Sequence, residues 1–191
     1  MTRVHFAGDP AVPPYFVVIR GPLGIGKTTV ARRLAGELNA EVIEIDPILE
    51  EWEWDGGSES LFLRANRVAG DRAQALLNRG IPVIFDGNFY WPSALKELAN
   101  RLDFPSTVFS LKAPVEVCIR RDAARAHSFG PESTREVFEK TERFDYGISI
   151  DANRPVETIV RDLLNRLRAE ELAKGEKLQE SSGPRTRPLD P

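Results

Sequence analysis

Apolar residues along the chain alternate between two rhythms. The first is the short unbroken run. "YFVVIRG" (15–21) is such a run ending in Gly, and it predicts a buried parallel strand. The second is recurrence every three or four residues. Val30, Ala31, Leu34, Ala35 and Leu38 follow at that spacing and predict a helix of about three turns from Thr28. "EVIEID" (41–46) reads as a second strand, stopped by Pro47. "EEWEWDGGSES" is acidic and Gly-interrupted, a loop or short lid. Leu61, Ala65, Val68, Ala69, Ala73, Leu76 and Leu77 then form one helical face, with Gly80 as its C-terminal cap. "IPVIFDGN" (81–88) is a third strand, 92–101 a helix, and "STVFSL" (106–111) a fourth strand. "VEVCIRRDAARAH" is a basic helix, broken by "SFGPEST" before a second helical piece at 132–143. "YGISID" (146–151) is the fifth strand. "PVETIVRDLLNRLRAEELA" closes the chain as a long amphipathic helix with Pro155 near its first turn.

Strands alternating with helices predict an α/β fold, a parallel sheet covered on both faces. Right-handed crossovers put every strand's carboxyl end on one edge, where ligands of such sheets bind. The organisation expected is an irregular lead-in (1–14), one domain (15–174) with a lid at about 118–143, and a disordered polar tail (175–191).

Composition narrows the classes. A chain of 191 residues, 41% apolar, suits one domain with a full core. A net charge of −3 supplies no global field for nucleic acid or anionic lipid. The lone cysteine, Cys118, rules out an intrachain disulfide and fits a reducing cytoplasm. No apolar run approaches the ~18 residues of a membrane span. Nothing in the pattern demands a dimer, and a cytoplasmic monomer is expected.

The first strand runs into "GPLGIGKTTV". Gly21, Gly26, Lys27 and Thr28 fit G-x-x-x-x-G-K-[ST], in the strand-to-helix setting the motif requires. Glycines let the backbone curl so that successive N–H groups point inward, and the following helix adds its positive end. Gly21, Leu23, Gly24, Ile25, Gly26, Lys27, Thr28 and Thr29 are the expected cradle of a nucleoside triphosphate. Lys27 reaches the outer phosphates and the Thr28 hydroxyl holds Mg²⁺.

Three classes of protein use such a site: hydrolytic motors, GTP switches and kinases. A motor places an acidic residue after the metal-site Asp, but Asp86 is followed by Gly87. A GTP switch carries Asn-Lys-x-Asp, which is absent from the chain. A kinase needs a base at the acceptor hydroxyl and mobile positive charge over the transferred group. Asp46, ending strand two, is the expected base, with a helix N-cap as its alternative role. Glu44 stands two residues earlier on the same face, suited to a metal-bound water or a salt bridge. Asp86 suits metal or substrate, and Asn88 either substrate or its turn. Arg121 and Arg125, four apart, share a helix face as flap arginines, while Arg120 and Asp122 point elsewhere. Arg64 and Arg67 form a polar stripe that can hold an acidic group on the acceptor. Arg67 is also spaced to pair with Asp71, and Asn66 to line the acceptor pocket. Trp52, Trp54, Phe89, Tyr90 and Trp91 follow strand ends as stacking or packing aromatics.

With these residues the chain resembles the small P-loop kinases, among them shikimate kinase, gluconate kinase, chloramphenicol phosphotransferase and polynucleotide 5′-kinase, over about 15–170. "GPLGIGKTT" resembles their phosphate loop, "EID" the acidic pair after strand two, and "VIFDGN" the strand-three Asp and Asn of polynucleotide kinase-like members. "CIRRDAAR" resembles their lid. "DANRP" resembles the loop over adenine, which implicates Asn153, Arg154 and Pro155. The resemblance implies ATP and Mg²⁺ as cofactors and strand order 2-3-1-4-5. Glu44 stands where shikimate kinases carry Asp, and "DGNFYW" replaces their glycine-rich acceptor motif. The segment "EEWEWDGGSE" has five carboxylates and no cation, which repels a polyanion. A small-molecule acceptor is therefore expected ahead of a nucleic-acid end. A non-catalytic nucleotide-binding module is the alternative of another class.

Overall fold

A computed structural model of the chain describes residues 13–50 and 58–181. Five strands, β1 (Phe16–Arg20), β2 (Glu41–Glu44), β3 (Val83–Gly87), β4 (Ser106–Lys112) and β5 (Ile148–Asp151), form one parallel sheet in the order β2-β3-β1-β4-β5. β1 and β3 are buried on both faces, which explains their unbroken apolar runs. Successive residues of β1 feed opposite cores. Val17 and Ile19 face the core built with α1 (Lys27–Leu38) and α7 (Val156–Ser181). Phe16 and Val18 face the core built with α2 (Ile45–Glu50), α3 (Glu59–Leu77) and α4 (Pro92–Arg101). Two further helices, α5 (Val115–Ala123) and α6 (Gly130–Glu142), join β4 to β5. Cys118 of α5 belongs to the first core, while Val137 of α6 packs on the second.

Local chemistry sets the ends of α3. Ser58 accepts the Leu61 N–H at its start. At its end Gly80 (φ 76°) donates to Leu77 and Ile81 donates to Leu76, a Schellman motif. Of the boundaries that differ from the sequence pattern, three have a clear physical cause. β2 stops at Glu44, and Ile45, Asp46 and Pro47 open α2 instead of ending the strand. Pro suits a first helical turn, where its missing N–H has no partner to lose, and Asp46 there meets the positive end of the helix. The basic helix ends at Ala123, four residues before His127, because Asp122 gathers the next turn. α7 continues through Gly175 to Ser181. Strong helix formers around Gly175 offset the cost of about 1 kcal/mol that one glycine carries. Trp52, Trp54 and most of the acidic segment lie outside the described residues, as do 1–12 and 182–191.

Candidate active site

β1 ends beside β3 and β4 at the middle of the sheet, and 21–26 carry the chain from it into α1. Gly24 (φ 72°) and Gly26 (φ 101°) adopt left-handed backbone, which glycine takes at little cost. Space also excludes a side chain at Gly24: a Cβ would stand 2.1 Å from the carbonyl oxygen of Cys118. The loop therefore rests directly on the backbone of α5. Gly26 caps α1 without a side-chain hydrogen bond. The first N–H groups of a helix have no partner within it and suit an anion.

Lys27 is buried. Its ammonium donates to the Pro22 carbonyl (3.1 Å) and to Asn88 Oδ1 (2.9 Å). Burial pushes it below the ordinary lysine range, against the pull of Asp46 and Asp86. The Thr28 hydroxyl donates to Asp86 Oδ2 at 2.6 Å. Strand register explains this pair. Asp86 stands level with Ile19 and Glu44, two residues on from Ile84, so it faces α1. Burial raises the Asp86 carboxyl above its ordinary range, outweighing Lys27 and the Thr28 hydrogen bond. Its Oδ1 is buried with no hydrogen-bond partner. An orphaned carboxylate oxygen beside a hydroxyl suits a hard divalent cation. Magnesium commonly takes one or two carboxylates and completes its shell with water and substrate phosphate. Thr28 and Asp86 fit that set.

A cavity of about 340 Å³ opens along the loop. Leu23, Gly24, Ile25, Gly26, Lys27, Thr28 and Thr29 form one wall. Asp46, Arg121 and Arg125 converge on it from α2 and the end of α5, and Ala152, Arg154, Val156 and Ile159 close the far end. Arg121 donates to the carbonyls of Ile25 and Ala152, both at 3.1 Å, and so bridges the loop to the β5–α7 connection. Arg125 lies just beyond α5 rather than on it, 3.7 Å from Asp122 Oδ1 and half exposed. Arg154 is held by the Asp151 carbonyl (2.9 Å) and by Asp162 (3.0 Å).

The other expected residues stand elsewhere. Asp86 and Asn88 are not on the cavity wall but are bonded to Thr28 and Lys27, which are; Gly21 precedes the wall in the chain. The Asp151 side chain caps a turn by accepting the Asn153 N–H, and the Pro155 carbonyl accepts from Thr158 and Ile159 to start α7. Glu44 pairs with Arg32 at 2.7 Å, the salt-bridge alternative. Arg67 meets Glu97 (3.7 Å), not Asp71, which pairs with Arg101. Those pairs form because α4 packs beside α3, a contact that spacing within α3 cannot reveal. Neither Arg64 nor Arg67 lines the cavity. Asn66 is buried and donates to the Ala94 carbonyl (2.7 Å), fastening α3 to α4 rather than lining a pocket. Phe89 and Tyr90 are buried and Tyr90 packs on Phe62 (4.8 Å), so these aromatics are core.

Two polar residues beside the site escaped the pattern. Asp122, 1% exposed, accepts from the Ser128 hydroxyl (2.7 Å) and from the N–H groups of Phe129 and Gly130 (2.9 and 3.1 Å). Arg20, fully buried, anchors the end of α6. A charge closing an apolar strand was the only clue to Arg20, and a carboxylate amid arginines hid Asp122.

A family model described as an AAA domain, AAA_33, matches residues 16–144. Shikimate kinase of Pseudoalteromonas translucida (strain TAC 125) is 29% identical over 135 residues, 65% of this chain and 75% of that protein. Deoxyguanosine kinase of Bacillus subtilis (strain 168) is 27% identical over 141 residues, 60% of this chain and 68% of that protein. Among solved structures, a gluconokinase from Sinorhizobium meliloti 1021 superposes with a TM-score of 0.69 at 20% identity, covering 87% of this chain and 98% of that one. With a matching family model over two thirds of its length and a phosphate loop at the centre of a 2-3-1-4-5 sheet, the chain belongs to the AAA_33 family of AAA domains, and the relatives and solved structure it resembles are named as kinases.

Proposed function

We propose that the protein transfers the γ-phosphoryl group of ATP to a hydroxyl of a small-molecule acceptor. One observation carries the reading. Lys27, Thr28, Asp46, Arg121 and Arg125 line a single cavity on the phosphate loop, with Asp86 bonded behind Thr28. Phosphoryl transfer asks for positioning and charge rather than covalent help, and that cavity holds both.

Loop amides and Lys27 hold the β- and γ-phosphates. Lys27 gives up a contact with Asn88 or Pro22 to do so. Thr28 and Asp86 would hold Mg²⁺, which when bound would neutralise charge on the phosphate oxygens. Asp46 takes the proton of the acceptor hydroxyl as the new O–P bond forms. The bond to the β-phosphate oxygen breaks, and ADP leaves. Arg125 covers the charge that spreads over the transferred group, and Arg121 sets the loop against the base-binding end. Arg154, Val156 and Ile159 flank the base.

Relatives named as shikimate and deoxyguanosine kinases support a small hydroxyl acceptor. ADP release is to be measured with shikimate, gluconate, nucleosides, deoxynucleosides and a 5′-hydroxyl oligonucleotide. Stimulation by one small acceptor is expected. The same slow release with every compound overturns transfer in favour of a binding module. Asp46→Asn should keep ATP affinity and lose ~10²-fold or more in turnover, the scale of general-base loss.

A further inference from the structure

We infer that Arg20 is a positioning residue that ties the lid, α5 and α6, to the root of the phosphate loop. The inference rests on reading the cavity as a nucleotide site. Arg20 is the last residue of β1 and the neighbour of Gly21. Its side chain is fully buried, on the strand face that carries Phe16 and Val18. Its guanidinium donates to the carbonyls of Thr141 (2.9 Å) and Phe144 (3.4 Å) and to the Ser110 hydroxyl (3.0 Å). It also lies 4.4 Å from the centre of the Phe144 ring. Burial lowers the guanidinium's pKa from its ordinary value, against the favourable charges of Glu142 and Asp145.

Thr141 and Phe144 bracket the C-terminus of α6. A cation there meets helix carbonyls that lack internal partners and the negative end of the helix. Lys112, at the end of β4, holds the same turn through Glu142 (2.8 Å) and Asp145 (3.0 Å). The Ser110 hydroxyl donates to Tyr146. At the other end of the lid, α5 touches the loop at Gly24, and Arg121 donates to Ile25. The lid is thus a bracket held at its α6 foot by the ends of β1 and β4 and at its α5 foot by the phosphate loop.

Burying an arginine carries a desolvation cost, and an apolar side chain would fill the space without that penalty. What the charge adds is directional grip on one helix end. A shift of the phosphate loop on binding nucleotide is passed through the end of β1 to α6. The α5–α6 turn then carries it to Arg125, which is bound to the same Asp122 that pins the turn.

The test is amide hydrogen exchange on the full chain, with and without MgADP, for the natural protein and Arg20→Lys. In the natural protein MgADP should slow exchange at residues 21–30 and also at 130–142. In Arg20→Lys, protection at 21–30 should persist while the MgADP-dependent protection at 130–142 falls about tenfold or more. That is the scale of losing one hydrogen bond from a charged donor. Natural-level MgADP protection of 130–142 in the variant overturns the inference. So does an even rise of exchange across the sheet with the nucleotide effect on α6 intact, since that assigns Arg20 to fold stability alone. If MgADP leaves 21–30 unprotected in the natural protein, the nucleotide site itself has failed. Phe144→Leu removes the ring and keeps the carbonyl acceptors. It should weaken the α6 response in the same direction, and an unchanged response in both variants rejects the coupling.

Discussion

Asp86 shows at the scale of one residue what burying a carboxylate costs a fold. Its carboxyl is raised because burial outweighs the attractions of Lys27 and Thr28. A carboxyl with a raised folded pKa adds stability below its unfolded pKa, and that contribution is lost as pH rises through the folded value. The ionised form is thus a burden on the empty protein at neutral pH. Asp86→Asn should therefore melt at a higher temperature than the natural protein at pH 7–8. The difference should shrink toward the acid side, where Asp86 is protonated. The same variant should lose the magnesium dependence of ATP binding. Thermal unfolding across pH, paired with calorimetry at varied magnesium, checks both. A lower melting temperature at pH 8 would show that the pairing with Lys27 wins. The residues of the phosphate loop were legible because the nest is built from consecutive backbone groups. Asp86 was legible because strand ends of such sheets share an edge. Arg20 was not: its acceptors at Thr141 and Phe144 lie 121 and 124 residues away.

At the scale of the element, the connection between α5 and α6 depends on one buried carboxylate. Asp122 replaces helical hydrogen bonds for the backbone of Phe129 and Gly130. Asp122→Ala leaves the Phe129 N–H without its acceptor and Gly130 with the Ser128 hydroxyl alone, at about 1–3 kcal/mol. Lower stability in urea is expected, along with faster proteolytic cleavage between 124 and 130. Cleavage at the natural rate would show that the turn holds without the carboxylate. Helix α4 was readable to its last residue, because Pro92 starts it and its apolar face is periodic. The start of α2 was misread for a physical reason. An apolar run reaching Pro47 satisfies both a strand and a first helical turn, and packing of Ile45 and Ile48 in the α3 core favours the helix.

For the whole molecule, the phosphate loop lies where both cores meet. A ligand that binds there braces β1, α1, α5 and the start of α7 together, and it stabilises the folded state by mass action. MgADP at about a hundred times its dissociation constant should add ~2.7 kcal/mol to unfolding free energy. Excess chelator should remove much of that gain if Thr28 and Asp86 hold the ion as proposed. Thermal melts with ADP alone, MgADP and MgADP plus chelator make the comparison. An equal shift in all three would argue against a metal in the site. No described helix is long and apolar enough to cross a membrane.

By itself the sequence determined what is local or periodic. It carried the alternation of strand and helix, the phosphate loop, the edge of the sheet where chemistry gathers, and the acidic and basic residues that face it. Tertiary structure decided which of those residues meet. It gave Arg67 to Glu97 rather than Asp71, Asn66 to a helix junction rather than a pocket, and Arg20 to the end of α6. Backbone nests and apolar periods are written in neighbouring letters. A hydrogen bond across a folded core depends on which elements pack together, and single-chain spacing holds no record of that.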